Sequence, residues 1–353
     1  MFLFMGPLWA PMASTWARES WVLETSVIEL PLKERFKIAR EVWDSTTNVF
    51  VTLRFAGVAG VGEACPASRW GESPESVVKQ LDAIDVGMLG NPFNLEGVRE
   101  LLPAGAARSA LDIALHDLAG KIAGLPVVKL IGAKSRPLPP TCITVPITTP
   151  DEMSQRAARL ADHPVLKVKV GFDGDIDAVA AIRGTYHGAL RVDANEGWSP
   201  DEAAERLAAL EPFDIELCEQ PIAADNHDAL QHITASTSIP IFADEDVSTA
   251  ADVARLNGVV DGVNLKLRKA GGIRETVAAI NVARAQGMRV MLGCDLDSGV
   301  AATAGAHVAG LVDYVDLDGP LLLAEDPFPG VTYDNGVMTL PDVPGLGVRG
   351  TPA

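Results

Sequence analysis

Cysteine is scarce in this sequence and scattered: Cys65, Cys142, Cys218 and Cys294 are the four in 353 residues. No two form a C-x-x-C pair. That spacing argues against a zinc site and a disulfide framework, and for a reducing, cytoplasmic setting. Cationic residues are also in deficit. Twenty-nine lysines and arginines face 47 aspartates and glutamates, a formal net charge of −18. Nucleic acid and anionic membranes both need a basic surface, so neither is expected as a partner; metal cations and cationic small molecules are more natural guests. No apolar run reaches the ~18 residues that suggest a membrane span. The opening MFLFMGPLWAPMAS is apolar but lacks the basic flank of a signal peptide. Residues 1–20 read as a tail, either disordered or an over-extended start with Met12 as the true beginning.

What is present is an ordinary globular balance, 48% hydrophobic and 22% charged, in a chain long enough for two domains. Residues 21–64 read as antiparallel strands, with NVFVTLRF and VGEAC flanking the glycine-bearing turn AGVAG. Two helical patterns follow. SPESVVKQLDAI opens on a Ser-Pro cap, and AARSALDIALHDLAGKIAG ends in the natural C-cap Gly124. The proline-rich AKSRPLPP then breaks regular structure. From there eight short β-rich runs alternate with helical segments, from TCITVPI to YVDLD. Such alternation implies parallel pairing with right-handed crossovers, and eight units close most simply into a barrel. An open doubly wound sheet is the rival, but the first strand lacks its glycine-rich phosphate turn. The expected division is a tail at 1–20, an α+β domain at 21–137 completed by 323–353, and a barrel at 138–322.

One strand poses a question. In HPVLKVKVG, Lys167 and Lys169 are separated by one residue and so share a face. Like charges side by side destabilise a sheet. Either that face meets water or something anionic sits over it. In a barrel, the chemistry lies at the C-terminal ends of the strands. Those ends carry Lys167 and Lys169, then Asp193, Glu219 and Asp244 about 25 positions apart, then Lys266, Asp295 with Asp297, and Asp316 with Asp318. Each acid could simply cap the helix that follows it. Three convergent carboxylates in an apolar mouth, however, repel unless neutralised, and a hard divalent cation such as Mg²⁺ does this. Lys169 and Lys266 stand on strands either side of that trio. A lysine beside a metal and another lysine is expected to have a lowered pKa and to serve as a base.

The stretches KVKVG, RVDANEGW, IELCEQP, FADED, NLKLRKAGG and GCDLDSG together resemble the enolase superfamily, in its muconate-lactonizing subgroup. The resemblance runs from about residue 21 to residue 348. It implies a modified TIM barrel, (β/α)7β, with an α+β N-terminal capping domain. It also implies Mg²⁺ ligands at Asp193, Glu219 and Asp244, acid/base lysines at Lys169 and Lys266, and Lys167 against the substrate carboxylate. The shared chemistry is proton removal α to a carboxylate.

Within the subgroup, YVDLDGP resembles the mark of dipeptide epimerases, in which an aspartate pair, here Asp316 and Asp318, holds the α-ammonium of a dipeptide. The implied activity is epimerisation of the C-terminal residue of a small-molecule dipeptide. The alternatives are o-succinylbenzoate synthase, N-acylamino-acid racemase and muconate cycloisomerase chemistry, and a homo-oligomer is compatible with any of them. GCDLDSG departs from the pattern at Asp295 and Asp297, and FADED departs at Asp246. The resemblance expects a loop after the first strand, PLKERFKIAREVWDS, and places Glu41, next to Arg40, where that loop reads the substrate side chain. Surplus carboxylates at Glu41, Asp295 and Asp297 predict a cationic or neutral C-terminal residue rather than an acidic one.

Overall fold

The structure is a computed structural model that describes residues 20–135 and 137–350. The tail expected at 1–20 lies, apart from Ser20, outside the described residues. The chain opens with three antiparallel strands, β1 (Val22–Lys37), β2 (Val42–Phe55) and β3 (Val58–Ala64). The turn from β2 to β3 is only Ala56 and Gly57, both left-handed at φ 51° and 77°, with Phe55 paired to Val58. Two left-handed residues give the primed turn that matches strand twist.

β1 runs further than the sequence suggests. PLKERFK, expected as part of a loop, is strand with a register slip between Pro31 and Phe36. Proline is tolerated because β1 lies at the sheet edge, where a missing N–H breaks no ladder bond. The connection shrinks to residues 38–41, closed by the Ile38 amide on the Glu41 carbonyl at 3.0 Å.

The helix Ala106–Ala123 covers this sheet and ends at Gly124, which is left-handed at φ 69°. A Cβ at Gly60 or Gly62 of β3 would collide with the helix backbone at Ala114 or Ala110, so the glycines permit the close approach. Val49, Val51 and Leu53 of β2 pack with Leu111, Leu115 and Leu118 in the core of this domain.

The remaining strands are β4 (Ile143–Val145), β5 (Val165–Lys169), β6 (Ala189–Asp193), β7 (Ile215–Glu219), β8 (Ile241–Ala243), β9 (Gly262–Lys266), β10 (Arg289–Gly293) and β11 (Tyr314–Asp316). They form one parallel sheet of eight in sequence order. The order never reverses, so the sheet has no switch point and the doubly wound alternative falls. A bridge from Thr141 to Val315 brings the first strand's flank to the last and all but closes the barrel. Helices return each strand to the start of the next. Those at Pro150–Arg159, Pro200–Leu210 and Ala250–Arg255 begin in capping boxes at Thr149, Ser199 and Thr249. The end of the chain returns to the first domain: Leu323 bridges Leu32, and the Leu346 amide donates to Asp117 at 2.8 Å.

Candidate active site

Period-two alternation sends Lys167, Lys169, Asp193, Glu219 and Lys266 inward at neighbouring strand ends, and Asp244 follows β8 directly. The register pairs Lys169 with Asp193 and Asp193 with Glu219. Lys167 is the hub. Its Nζ lies 2.7 Å from Glu219, 2.9 Å from Asp193 and 2.7 Å from Asp316. Lys169 reaches Asp193 at 2.6 Å. Across the floor, Lys266 lies 3.1 Å from Asp244 and 3.7 Å from Asp295. The lysine-bearing face of β5 therefore meets carboxylates, not water.

Sequence reasoning missed Lys269. It sits on the short helix Leu267–Ala270, wholly buried, and donates to Asp244 Oδ1 at 2.5 Å. The only available signal was a second lysine three residues after Lys266, which a helical turn brings to the same side.

The expected lowering of the base lysines is not seen at Lys266. Burial opposes its charge, yet Asp244 and Asp295 hold its pKa well above the ordinary lysine value. Burial likewise opposes the charge of Lys167, which Asp193, Asp316 and Glu219 hold up. In these two lysines nearby carboxylates outweigh neighbouring ammonium groups; Lys269 is lowered, by burial first. Asp244 is pulled well below the carboxylate range by Lys266 and Lys269 against its burial. Glu219 is pushed up to about 8 by burial and by Asp193 beside it.

These carboxylates suit a hard cation. Glu219 Oε2 is buried and accepts no hydrogen bond, because Lys167 approaches it off the bonding direction. An open oxygen flanked by two more carboxylates is the donor set a divalent cation takes. Another acid-histidine group, Asp225, His227 and Asp246, is the one among the described residues whose ligand atoms lie within 4.8 Å of one another. Its Asp246 and His227 atoms are already engaged. Asp246 accepts the Asp225 amide at 2.7 Å and Gln220 at 2.7 Å, with His227 at 3.0 Å, so it braces the loops after β7 and β8.

Asp316 and Asp318 close the mouth on the β11 side. Asp316 takes Lys167 and the Cys142 thiol at 2.9 Å, and stays below the usual range although burial opposes it. Asp318 accepts the Thr144 amide at 2.7 Å and a distant Cys294 thiol at 3.9 Å. Burial, and then Asp316, push it up to about 6. A carboxyl raised in this way is neutral below about pH 6 and charged above it. Binding of a cationic group there should hold steady above pH 6 and weaken as pH falls through it. The check is KM for a substrate with a free ammonium group, measured from pH 5 to 8.

Residues 23–132 match the mandelate racemase / muconate lactonizing enzyme N-terminal domain, and residues 152–352 match the enolase C-terminal domain-like family. The chain belongs to the enolase superfamily. It is 37% identical to the L-Ala-D/L-Glu epimerase of Bacteroides thetaiotaomicron, over 91% of this chain and 85% of that one. It is 35% identical to the hydrophobic dipeptide epimerase of Roseobacter litoralis, over 90% and 96% of the two chains. The crystal structure of the Cytophaga hutchinsonii dipeptide epimerase, complexed with Mg and the dipeptide D-Ala-L-Val, superposes with a TM-score of 0.87 at 34% identity, covering 94% and 95% of the two chains.

Around this enolase-superfamily floor, the capping domain supplies the outer wall of a cavity of about 550 Å³. Two carboxylates expected to give that cavity surplus negative charge do not. Asp295 lines it, but Arg268 binds it at 2.6 and 3.3 Å and holds its pKa down against burial. Asp297 does not line it. Burial and the neighbouring Glu63 raise the Asp297 pKa well above normal, in the neutral direction. Glu63 reaches from β3 to the amides of Ser298 and Ala301, capping the helix Gly299–Val308. Glu41 does line the cavity, beside Arg40.

Proposed function

We propose that this enzyme is a Mg²⁺-dependent dipeptide epimerase that inverts the C-terminal residue by moving a proton from one face of its α-carbon to the other. The observation that carries this reading is the pair Lys169 and Lys266. They come to a shared carboxylate floor from opposite sides, one at Asp193 and the other at Asp244. Two bases facing one carbon from opposite sides suit a 1,1-proton transfer. The neutral lysine takes the α-proton, the C–H electrons pass into the substrate carboxylate to form an enolate, and the protonated lysine returns a proton to the opposite face. Asp193, Glu219 and Asp244 would hold the cation, whose positive charge makes the α-proton more acidic. Lys167, fixed among Asp193, Glu219 and Asp316, adds a permanent ammonium to the same region.

Asp316 and Asp318 supply the other end of the recognition. A free α-ammonium suits them; the anionic substrates of lactonizing or succinylbenzoate-forming chemistry, and N-acylated amino acids, do not. The 21–137 and 323–353 segments would form the cap over a 138–322 barrel. The four free cysteines support a cytoplasmic location.

The test compares free and N-acetylated dipeptides as substrates, in the wild type and in Asp316→Asn and Asp318→Asn. Free dipeptides should turn over and acetylated ones should not. Each substitution should weaken binding by ~1.5–3 kcal/mol, the scale of a charge-assisted hydrogen bond. Asp318→Asn should cost more, because Lys167 already compensates Asp316. Equal turnover of acetylated and free dipeptides would remove the dipeptide assignment.

A further inference from the structure

The two relatives described above differ, one an epimerase of a glutamate-bearing dipeptide and the other of hydrophobic ones, and this is a division by charge. The charged groups around this cavity take a position on that division. Two arginines line the cavity, Arg40 and Arg69; a third, Arg268, stands behind the lining residues Asp295 and Glu72, and each is committed. Arg40 donates to Glu245 at 2.7 Å, to the Asn195 carbonyl at 2.9 Å and to Glu196 at 3.2 Å. Arg69 holds Glu196 through two bonds of 3.0 and 2.9 Å. Arg268 joins Asp295 and, at 3.2 Å, Glu72, with its guanidinium 4.4 Å from the centre of the Trp70 ring. Three guanidinium groups thus face four carboxylates: Glu245, Glu196, Asp295 and Glu72. An acidic side chain entering here finds no spare cation, and it must be stripped of water beside carboxylates already in excess.

Glu41 is the counterpart. It lines the same cavity from the turn between β1 and β2, and its contact is a hydroxyl, Ser68 at 3.1 Å. No cation among the described residues pairs with it. Phe36, Ile38 and Trp43 of the same hairpin line the approach. An apolar wall leading to an uncompensated carboxylate fits a side chain with an aliphatic stem and a cationic tip.

Building on the dipeptide-epimerase reading, we infer that the site sorts its dipeptides by charge, taking a cationic C-terminal residue ahead of a neutral one and a neutral one ahead of an acidic one. Glu41 is the specificity residue. Glu196 contributes indirectly, because it keeps Arg40 and Arg69 away from the substrate.

The experiment measures kcat/KM for L-Ala-L-Lys, L-Ala-L-Leu and L-Ala-L-Glu on the Mg²⁺-loaded full chain, by α-proton exchange in D₂O. The order Lys, Leu, Glu is expected, with at least tenfold between first and last. Glu41→Gln should lower the Lys:Leu ratio about tenfold, and Glu196→Gln, by releasing arginine, should raise the Glu:Leu ratio. L-Ala-L-Glu as the best substrate, or a Lys:Leu ratio unmoved by Glu41→Gln, overturns the inference and leaves the epimerase assignment standing. Exchange with none of the three overturns the assignment itself, and the inference with it.

Discussion

Lys169→Ala and Lys266→Ala should each abolish epimerisation while leaving half of the chemistry alive. In the proposed mechanism each lysine serves one face of the α-carbon, so a variant lacking one can still remove and return a proton on the other face. In D₂O, one stereoisomer should keep exchanging its α-proton in Lys169→Ala and the opposite stereoisomer in Lys266→Ala, with no inversion in either. A positioned base contributes about 10²–10⁴-fold, and inversion needs both, so the loss should reach the upper end of that range. The floor should survive the substitutions. Asp193 keeps Lys167 at 2.9 Å, and Asp244 keeps Lys269 at 2.5 Å. Proton NMR of each pure stereoisomer reads exchange and inversion separately. Inversion at the wild-type rate in either variant would end the two-base mechanism.

The second large effect is removal of the cation. Chelation should cost on the order of 10³-fold or more in activity, the several kcal/mol by which a bound metal stabilises developing charge. The fold should barely notice. Three clustered carboxylates without a cation normally threaten a barrel mouth, since unpaired buried charge is strongly destabilising. Here four lysines, Lys167, Lys169, Lys266 and Lys269, stand within 3.1 Å of the trio. They carry the compensation on their own. Thermal unfolding with Mg²⁺ and with a chelator should differ by only a few degrees beyond the simple mass-action gain of a bound ligand. A chelated protein that unfolds at room temperature would show that the lysines do not carry this role.

The residues of the floor could be read from the sequence because a barrel converts chain periodicity into spatial convergence. Asp193 and Glu219 each end a strand and Asp244 directly follows one, and the strand order follows the chain, so near-equal spacing placed them together. Pairing partners had no such signal. That Arg268 neutralises Asp295, or that burial and then Glu63 of β3 push Asp297 toward its neutral form, depends on the approach of residues 27 and 234 positions apart in the chain. No local pattern encodes such contacts. The turn carrying Arg40 and Glu41 posed a different problem. A loop of unknown shape leaves open which of two neighbours faces inward, and the strand extension through Lys37 leaves only a tight turn in which both line the cavity. Lys269 went unseen because LRKA reads as connection rather than helix.

The barrel is not equally strong all the way round. β5 and β6 share five paired residues, as do β9 and β10; β8 pairs through two residues with each neighbour, and β4 meets the β11 side through the single Thr141–Val315 bridge. Backbone amides along that seam should open first in hydrogen exchange, since few ladder bonds hold them. The seam lies next to Asp316 and Asp318 and away from Lys266. Native fluctuations should therefore fall on the part of the molecule proposed to recognise the substrate's ammonium group. Lys169 and Lys266, the proposed bases, stand on strands each joined to a neighbour by five paired residues, so evolution could retune which molecule is admitted without disturbing what is done to it.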